Sequence, residues 1–198
     1  MLHTDECAPV PRLSTAVAEN EYRLLCDVEP SSGLLEGMNN TFTPLNAVII
    51  TESQVALVQS SFVHVLPIVD AAGLLFYERV FTLAPGTRSL FGEDIALQAT
   101  RTMAAVKTAV DGLDNIEQVA PFLVRLGARH VRYGVLPEHF DVVGAALLWT
   151  LEQGLGDLFN AEVRDAWAAA FSVIAGAMLA GMEQAAASPA ATAVSAAL

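Results

Sequence analysis

The chain has 198 residues, enough for one domain with a full core, and 54% of them are hydrophobic although only 7% are aromatic. A formal net charge of −12 argues against nucleic acid as a partner, because phosphate binding needs a basic surface, and against an anionic membrane surface. Two cysteines, Cys7 and Cys26, are too few for a disulfide framework or a four-ligand zinc site, and the sequence leaves open whether they pair.

The first residues, Met1-Leu-His-Thr-Asp-Glu-Cys7, carry acids where a signal peptide needs bases, so a cytoplasmic protein is expected. Pro9, Pro11, Pro30, Ser31, Ser32, Gly33, Asn39, Asn40 and Pro44 crowd residues 1–47 with turn formers. That region reads as an N-terminal extension of low order, with one short helix over Ala18–Val28. A helical domain is expected over 48–184. Thr51-Glu-Ser-Gln54 fits a capping box, and Val55, Val58, Phe62 and Val65 follow at helical spacing. Pro67 bends or ends that helix. A second helix is expected from Val69 to Leu83, with Leu74, Tyr77, Val80 and Phe81 on one face, before Ala84-Pro85-Gly86 breaks it.

A short turn carrying Leu90 and Phe91 leads to a third helix over Asp94–Leu113. Asn115 and Gln118 are expected to cap the next turn, with Pro121 starting a helix that reaches Arg132. Gly134-Val-Leu-Pro137 is a break, and Pro137 suits the first position of a helix ending near Gly154. Asn160 caps the last helix, Ala161–Gln184, and a flexible Ala/Ser/Pro/Thr tail is expected over 185–198. The longest apolar stretch, Ala166–Met182, reads as a buried helix, and no membrane insertion is expected. No strand alternation appears after Ile49, so the domain is all-α with six or more helices.

Among His3, His64, His130 and His139, only His130 shares a helical face with leucines, Leu123 and Leu126, while Arg125, Arg129 and Arg132 lie on the other side. An imidazole on an apolar face needs a partner. Gly127 is expected to leave space there for something flat and bulky, and a metal held by neutral imidazole would satisfy both features. The arginines form a solvated face by default and could also meet carboxylates. There is no G-x-G-x-x-G, Walker loop, H-E-x-x-H, G-x-S-x-G or C-x-x-C. The residues alone therefore reach a helical domain with a pocket for haem or another apolar ligand.

The run Arg129-His-Val-Arg-Tyr-Gly-Val-Leu-Pro-Glu-His-Phe-Asp-Val-Val-Gly144 resembles the proximal-histidine segment of bacterial flavohaemoglobins and single-domain haemoglobins, K/R-H-x-x-x-G-V-x-P-E-x-Y/F-x-x-V-G. Leu75-Phe-Tyr-Glu-Arg-Val-Phe81, followed by Pro85 and Leu90-Phe91, resembles the distal segment of that family, and Asp165-Ala-Trp167 resembles the opening of its last helix. The resemblance implies a globin fold, a three-over-three helical sandwich around haem b. It implies His130 as proximal iron ligand, Tyr77 as distal hydroxyl, Phe91 against the porphyrin, and Leu126 and Thr102 lining the cofactor. Gln98 falls at the distal glutamine position, given a short deletion after Phe91, with Leu97 as its competitor.

Phe140 stands where the family has a tyrosine supporting the histidine. Met182, with Glu183 adjacent, stands where it has a polarising glutamate, and Phe171 replaces another tyrosine. The functions implied are reversible O2 binding for storage or transport, nitric oxide dioxygenation as the alternative, and haem-based gas sensing as a lower one. O2, NO and CO are the implied ligands and a homodimer the implied assembly. No flavin or nicotinamide domain is expected in so short a chain, so redox turnover would draw on a separate NAD(P)H-dependent reductase.

Overall fold

Thr51 opens the first helix in the computed structural model, which describes residues 50–187. The expectations for residues 1–47, including the Ala18–Val28 helix, His3 and the Cys7/Cys26 pair, and for the tail past 187 lie outside the described residues. The Thr51 hydroxyl accepts from the Gln54 N–H at 3.2 Å while the Gln54 side chain accepts from the Thr51 N–H at 2.9 Å, so the capping box forms as expected. It starts α1 (Glu52–Val65), and Pro67 then tightens the chain into a 3-10 turn, Leu66–Ile68, which runs straight into α2 (Val69–Leu83).

A second 3-10 segment, Pro85–Leu90, leads to α3 (Ile95–Asp111), whose cap Asp94 accepts from the Leu97 N–H at 2.9 Å. Next come α4 (Ile116–Arg132), α5 (His139–Leu155) and α6 (Ala161–Ala187). Asn160 accepts from the Val163 N–H at 3.0 Å and so caps α6. The helix passes Gln184 to Ala187 because alanine is the best helix former. All regular structure among the described residues is helical.

Four expectations about these elements are corrected. Pro121 lies inside α4 instead of starting it, and Asn115 makes no side-chain cap. The turn Leu113–Asn115 already delivers the chain in helical register, so α4 begins at Ile116 without a polar cap. Pro137 precedes regular α5, in a turn where the Phe140 N–H donates to the Pro137 carbonyl at 3.1 Å. On α2, Leu74 is 47% exposed, and the buried face is Ala72, Gly73, Phe76, Tyr77 and Val80. Gly73 sets this rotation, since a Cβ there would stand only 3.0 Å from Met103 and 3.1 Å from Ala99 on α3.

Packing is pairwise: α4 on α6, α2 on α3, α1 on α6 and α2 on α5. The α4–α6 crossing is a backbone contact. A Cβ on Gly127 would overlap the Met178 carbonyl, and one on Gly181 would overlap the Val124 carbonyl. The room left by Gly127 is thus filled by α6, correcting the expectation that it admits a ligand. Two runs, Glu52–Leu83 and α6, are long and apolar enough to cross a membrane by length and composition, and in α6 Val163, Ala166, Trp167, Ala170, Ala175, Met178 and Met182 are buried in the domain.

A buried polar pair ties α6 to α1. The Trp167 indole N–H donates to the Ser61 hydroxyl at 2.9 Å, and that hydroxyl donates to the Leu57 carbonyl at 2.7 Å. Ser61→Ala leaves a buried indole N–H without an acceptor and is expected to cost about 1–3 kcal/mol, read as a lowered urea midpoint. An unchanged midpoint would show that this bond contributes nothing to stability.

Candidate functional site

The last turn of α4 fixes His130 from behind. Gly134, at φ +75, ends the helix in the left-handed conformation, with the Val135 N–H on the His130 carbonyl at 3.2 Å and the Gly134 N–H on the Val131 carbonyl at 3.1 Å. This paired capping pattern makes the helix end at one place. The His130 Nδ1 lies 2.7 Å from the Leu126 carbonyl oxygen. A carbonyl only accepts, so Nδ1 carries the proton and the neutral ring has its lone pair on Nε2. Burial pushes the His130 pKa below its ordinary value; the Leu126 carbonyl opposes that shift, and the Arg129 charge adds to it.

The other described histidines are differently engaged. His64 is exposed, and His139 Nδ1 accepts from the Leu136 N–H at 3.1 Å at the entry to α5. Among the described residues, His130 Nε2 is therefore the imidazole nitrogen on an apolar helical face that can donate to a metal. No three His, Cys, Asp or Glu side chains among the described residues stand together as a metal site. A lone imidazole suits an iron whose remaining in-plane ligands come with it, as in haem.

Leu126, whose carbonyl holds the His130 ring, packs on an apolar cluster. Leu123, Phe140, Met178 and Met182 are buried in one cluster, with Leu126 and Phe171 packed on it. Phe171 lies against Gly144, where a Cβ would come within 3.0 Å of the ring. Met182 is buried while Glu183 is exposed, so no carboxylate of α6 enters this cluster in place of Met182. Leu126, expected as a lining side chain, also contributes the backbone oxygen that orients the histidine. Arg125 and Arg132 are exposed and Arg129 half-buried, and none forms an ion pair with a described residue.

A second group forms where α2 meets α3. Tyr77 is buried, with its hydroxyl oxygen 2.7 Å from Thr102 Oγ1, and Gln98 Nε2 donates to that hydroxyl at 3.3 Å. Burial raises the Tyr77 pKa, which the Thr102 and Gln98 hydrogen bonds partly oppose. The neighbouring Leu97 is 47% exposed, so Gln98 is the residue of that pair turned toward Tyr77. The Phe91 ring meets Tyr77 edge-on at 5.1 Å and Phe81 at 5.6 Å. Arg88 holds the backbone there by donating to the Phe91 and Gly92 carbonyls at 3.0 Å.

The structure thus gathers Tyr77, Phe91, Gln98 and Thr102 into one group and pairs His130 with Leu126 elsewhere. Tyr77 and Phe91 belong to one apolar cluster and Leu126 packs on another. Helices α3 and α4, though consecutive, pack on different neighbours, α2 and α6. Residues 74–178 match the protein family described as Globin. The chain belongs to the globin family.

Similarity to individual globins is about equally spread. The chain is 30% identical to neuroglobin of Tetraodon nigroviridis over 123 residues, which covers 55% of this chain and 77% of that protein. It is 30% identical to anaerobic nitrite reductase NSHB5 of Oryza sativa subsp. indica over 142 residues, covering 69% and 98%. It is 31% identical to the flavohemoprotein of Bacillus subtilis (strain 168) over 112 residues, covering 55% of this chain and 28% of that protein. The six helices are those of an all-α globin fold, and the chain is a haem-binding globin. Its donor set fits that group: one neutral imidazole in apolar surroundings, and a hydroxyl–amide pair on another helix pair.

Proposed function

We propose that this globin binds O2 reversibly, using haem b held by His130, in the manner of bacterial flavohaemoglobin haem domains and single-domain haemoglobins. Haem, once bound, supplies a ferrous iron that takes diatomic gases. His130 offers Nε2, and the Leu126 carbonyl fixes its tautomer and orientation. Tyr77 offers a buried phenol to the outer atom of O2, with Gln98 as its neighbour, and Phe91 and Leu126 supply apolar surface to the macrocycle.

The observation that carries this reading is the partner of His130 Nδ1, a backbone carbonyl, while at the positions where the resemblance implies a tyrosine and a glutamate Phe140 and Met182 are buried and Glu183 is turned to solvent. A carboxylate there would make the ligand more electron-donating and aid O2 activation; a carbonyl polarises it only weakly. The arrangement therefore favours holding O2 over consuming it. NO consumption, measured with NAD(P)H and a generic reductase, is expected to stall after one equivalent of NO per haem. Sustained turnover would instead make the chain a nitric oxide dioxygenase served by a separate reductase. Tyr77→Phe is expected to speed O2 dissociation roughly tenfold, the worth of one buried hydrogen bond, in stopped-flow ligand displacement. An unchanged rate would remove Tyr77 from contact with the ligand.

A further inference from the structure

We infer that His139 is an acid-sensitive staple on the turn that follows His130: its neutral ring closes that turn, and its protonation opens it and speeds haem loss. The effect on haem rests on His130 holding the iron as proposed above. α5 starts without a side-chain cap from Glu138. Instead His139 reaches back, its Nδ1 accepting from the Leu136 N–H at 3.1 Å, while its own N–H donates to the Leu136 carbonyl at 3.0 Å. This is the returning half of a capping box, with imidazole where glutamate or glutamine is usual. A ring nitrogen that accepts carries no proton, so the bond exists only in the neutral ring with its proton on Nε2. One residue earlier, the Val135 N–H is pinned to the His130 carbonyl at 3.2 Å. Consecutive peptides thus tie the turn to His130 at one end and to His139 at the other.

Protonation acts twice, with the same sign. Imidazolium donates at both nitrogens, so the Leu136 N–H loses its acceptor and faces a second N–H. The new charge also sits at the N-terminus of α5, the unfavourable end of a helix for a cation. On the same turn Glu138 and Asp141 are exposed, so their pull on the charged ring is screened by water. Among the neighbouring elements, α4 ends with Arg129, Arg132 and the Tyr133 phenol, and the segment whose Leu90 side chain lies beside Gly134 carries Arg88. α2 carries Glu78 and Arg79, and α6 carries Glu183. The ion pairs among the described residues are Lys107–Asp111 and Arg164–Glu152, so no described carboxylate pairs with His139. Once the staple opens, Val135 is free to leave both the His130 carbonyl and the apolar cluster on which it and Leu126 pack. His130 then loses backbone support on the side of the turn. Haem leaves faster, while loading stays stoichiometric.

His139→Asn separates the bond from the charge. It puts an amide oxygen where Nδ1 stands, and an amide gains no proton over roughly pH 5 to 8, where histidines change charge. The first readout is amide hydrogen exchange at Leu136 in the full chain with haem and CO bound, expressed as protection relative to the unfolded chain. Native protection is expected to fall roughly three- to tenfold as the pH is lowered across that range, the worth of one hydrogen bond. His139→Asn is expected to lose this response. The second readout is the rate of haem transfer to excess apomyoglobin. Its acid acceleration is expected to be roughly threefold larger in the native chain than in His139→Asn, a comparison in which titration of His130 itself cancels. Native protection that does not fall, or an equal fall in His139→Asn, would overturn the staple. Equal acid acceleration of haem loss in the two chains would overturn its link to haem. If His130→Ala keeps stoichiometric haem, the iron reading fails instead, and the Leu136 amide still decides whether the staple exists.

Discussion

His130→Ala is expected to yield a folded chain that no longer retains stoichiometric haem. His130 Nε2 is the single imidazole donor on an apolar face among the described residues, since His64 is exposed and His139 accepts from the Leu136 N–H at the entry to α5. Losing even an outer partner of a metal ligand costs about 10–100-fold in affinity, so losing the ligand itself costs more. The fold tolerates the change: alanine is a better helix former than histidine, and the buried cluster around Leu123, Phe140 and Met182 does not depend on the ring. Far-ultraviolet circular dichroism should stay helical while the haem absorbance is lost. His64→Ala and His139→Ala are the controls and should keep their haem. Stoichiometric haem with an unaltered spectrum in His130→Ala would make the assignment wrong.

Gly127→Ala should destabilise the domain strongly, although at an open helical site the same change stabilises by about 1 kcal/mol. The new Cβ would overlap the Met178 carbonyl, and a backbone of α6 cannot step aside as a side-chain end can. Overpacking of this kind costs about 1–3 kcal/mol and occasionally more, enough to reverse the sign. Gly176, on α6, is the internal control, because a Cβ there meets nothing within 4 Å. Urea unfolding should show Gly176→Ala stabilised and Gly127→Ala destabilised by about 2 kcal/mol or more. Both glycines shifting stability in the same direction would refute the close α4–α6 crossing. Since α4 carries His130 four residues from Leu126, spreading this crossing should also loosen haem retention.

What could be read from the sequence was local chemistry. The Thr51–Gln54 box and the Asn160 cap act within one helical turn, so their residues announce the starts of α1 and α6. The end of α4 was legible for the same reason, through Gly134. What could not be read depends on partners far along the chain. Gly127 looked like open space because Met178, which fills it, lies on another helix. Leu74 fitted the apolar period of α2, but the close approach of α3 at Gly73 turned it outward. Pro121 looked like a helix start because proline suits a first helical position, and nothing local shows that the Leu113–Asn115 turn already sets the helical register.

The site divides in the same way. Tyr77 stood out by its motif, and Gln98 could be told from Leu97 only once α2 and α3 were docked. The choice between Met182 and Glu183 likewise needed the rotation of α6, which buries the first and exposes the second. The Thr102–Tyr77 bond joins residues on two helices, and no spacing rule along one helix foretells it.

The most direct test is the absorption spectrum of the purified full-length chain in its ferric, ferrous and ferrous-CO forms. The account predicts stoichiometric haem and a ferrous-CO spectrum of neutral histidine ligation that His130→Ala abolishes. A chain that takes up no haem, or a CO spectrum of thiolate ligation pointing to Cys7 or Cys26, would contradict it.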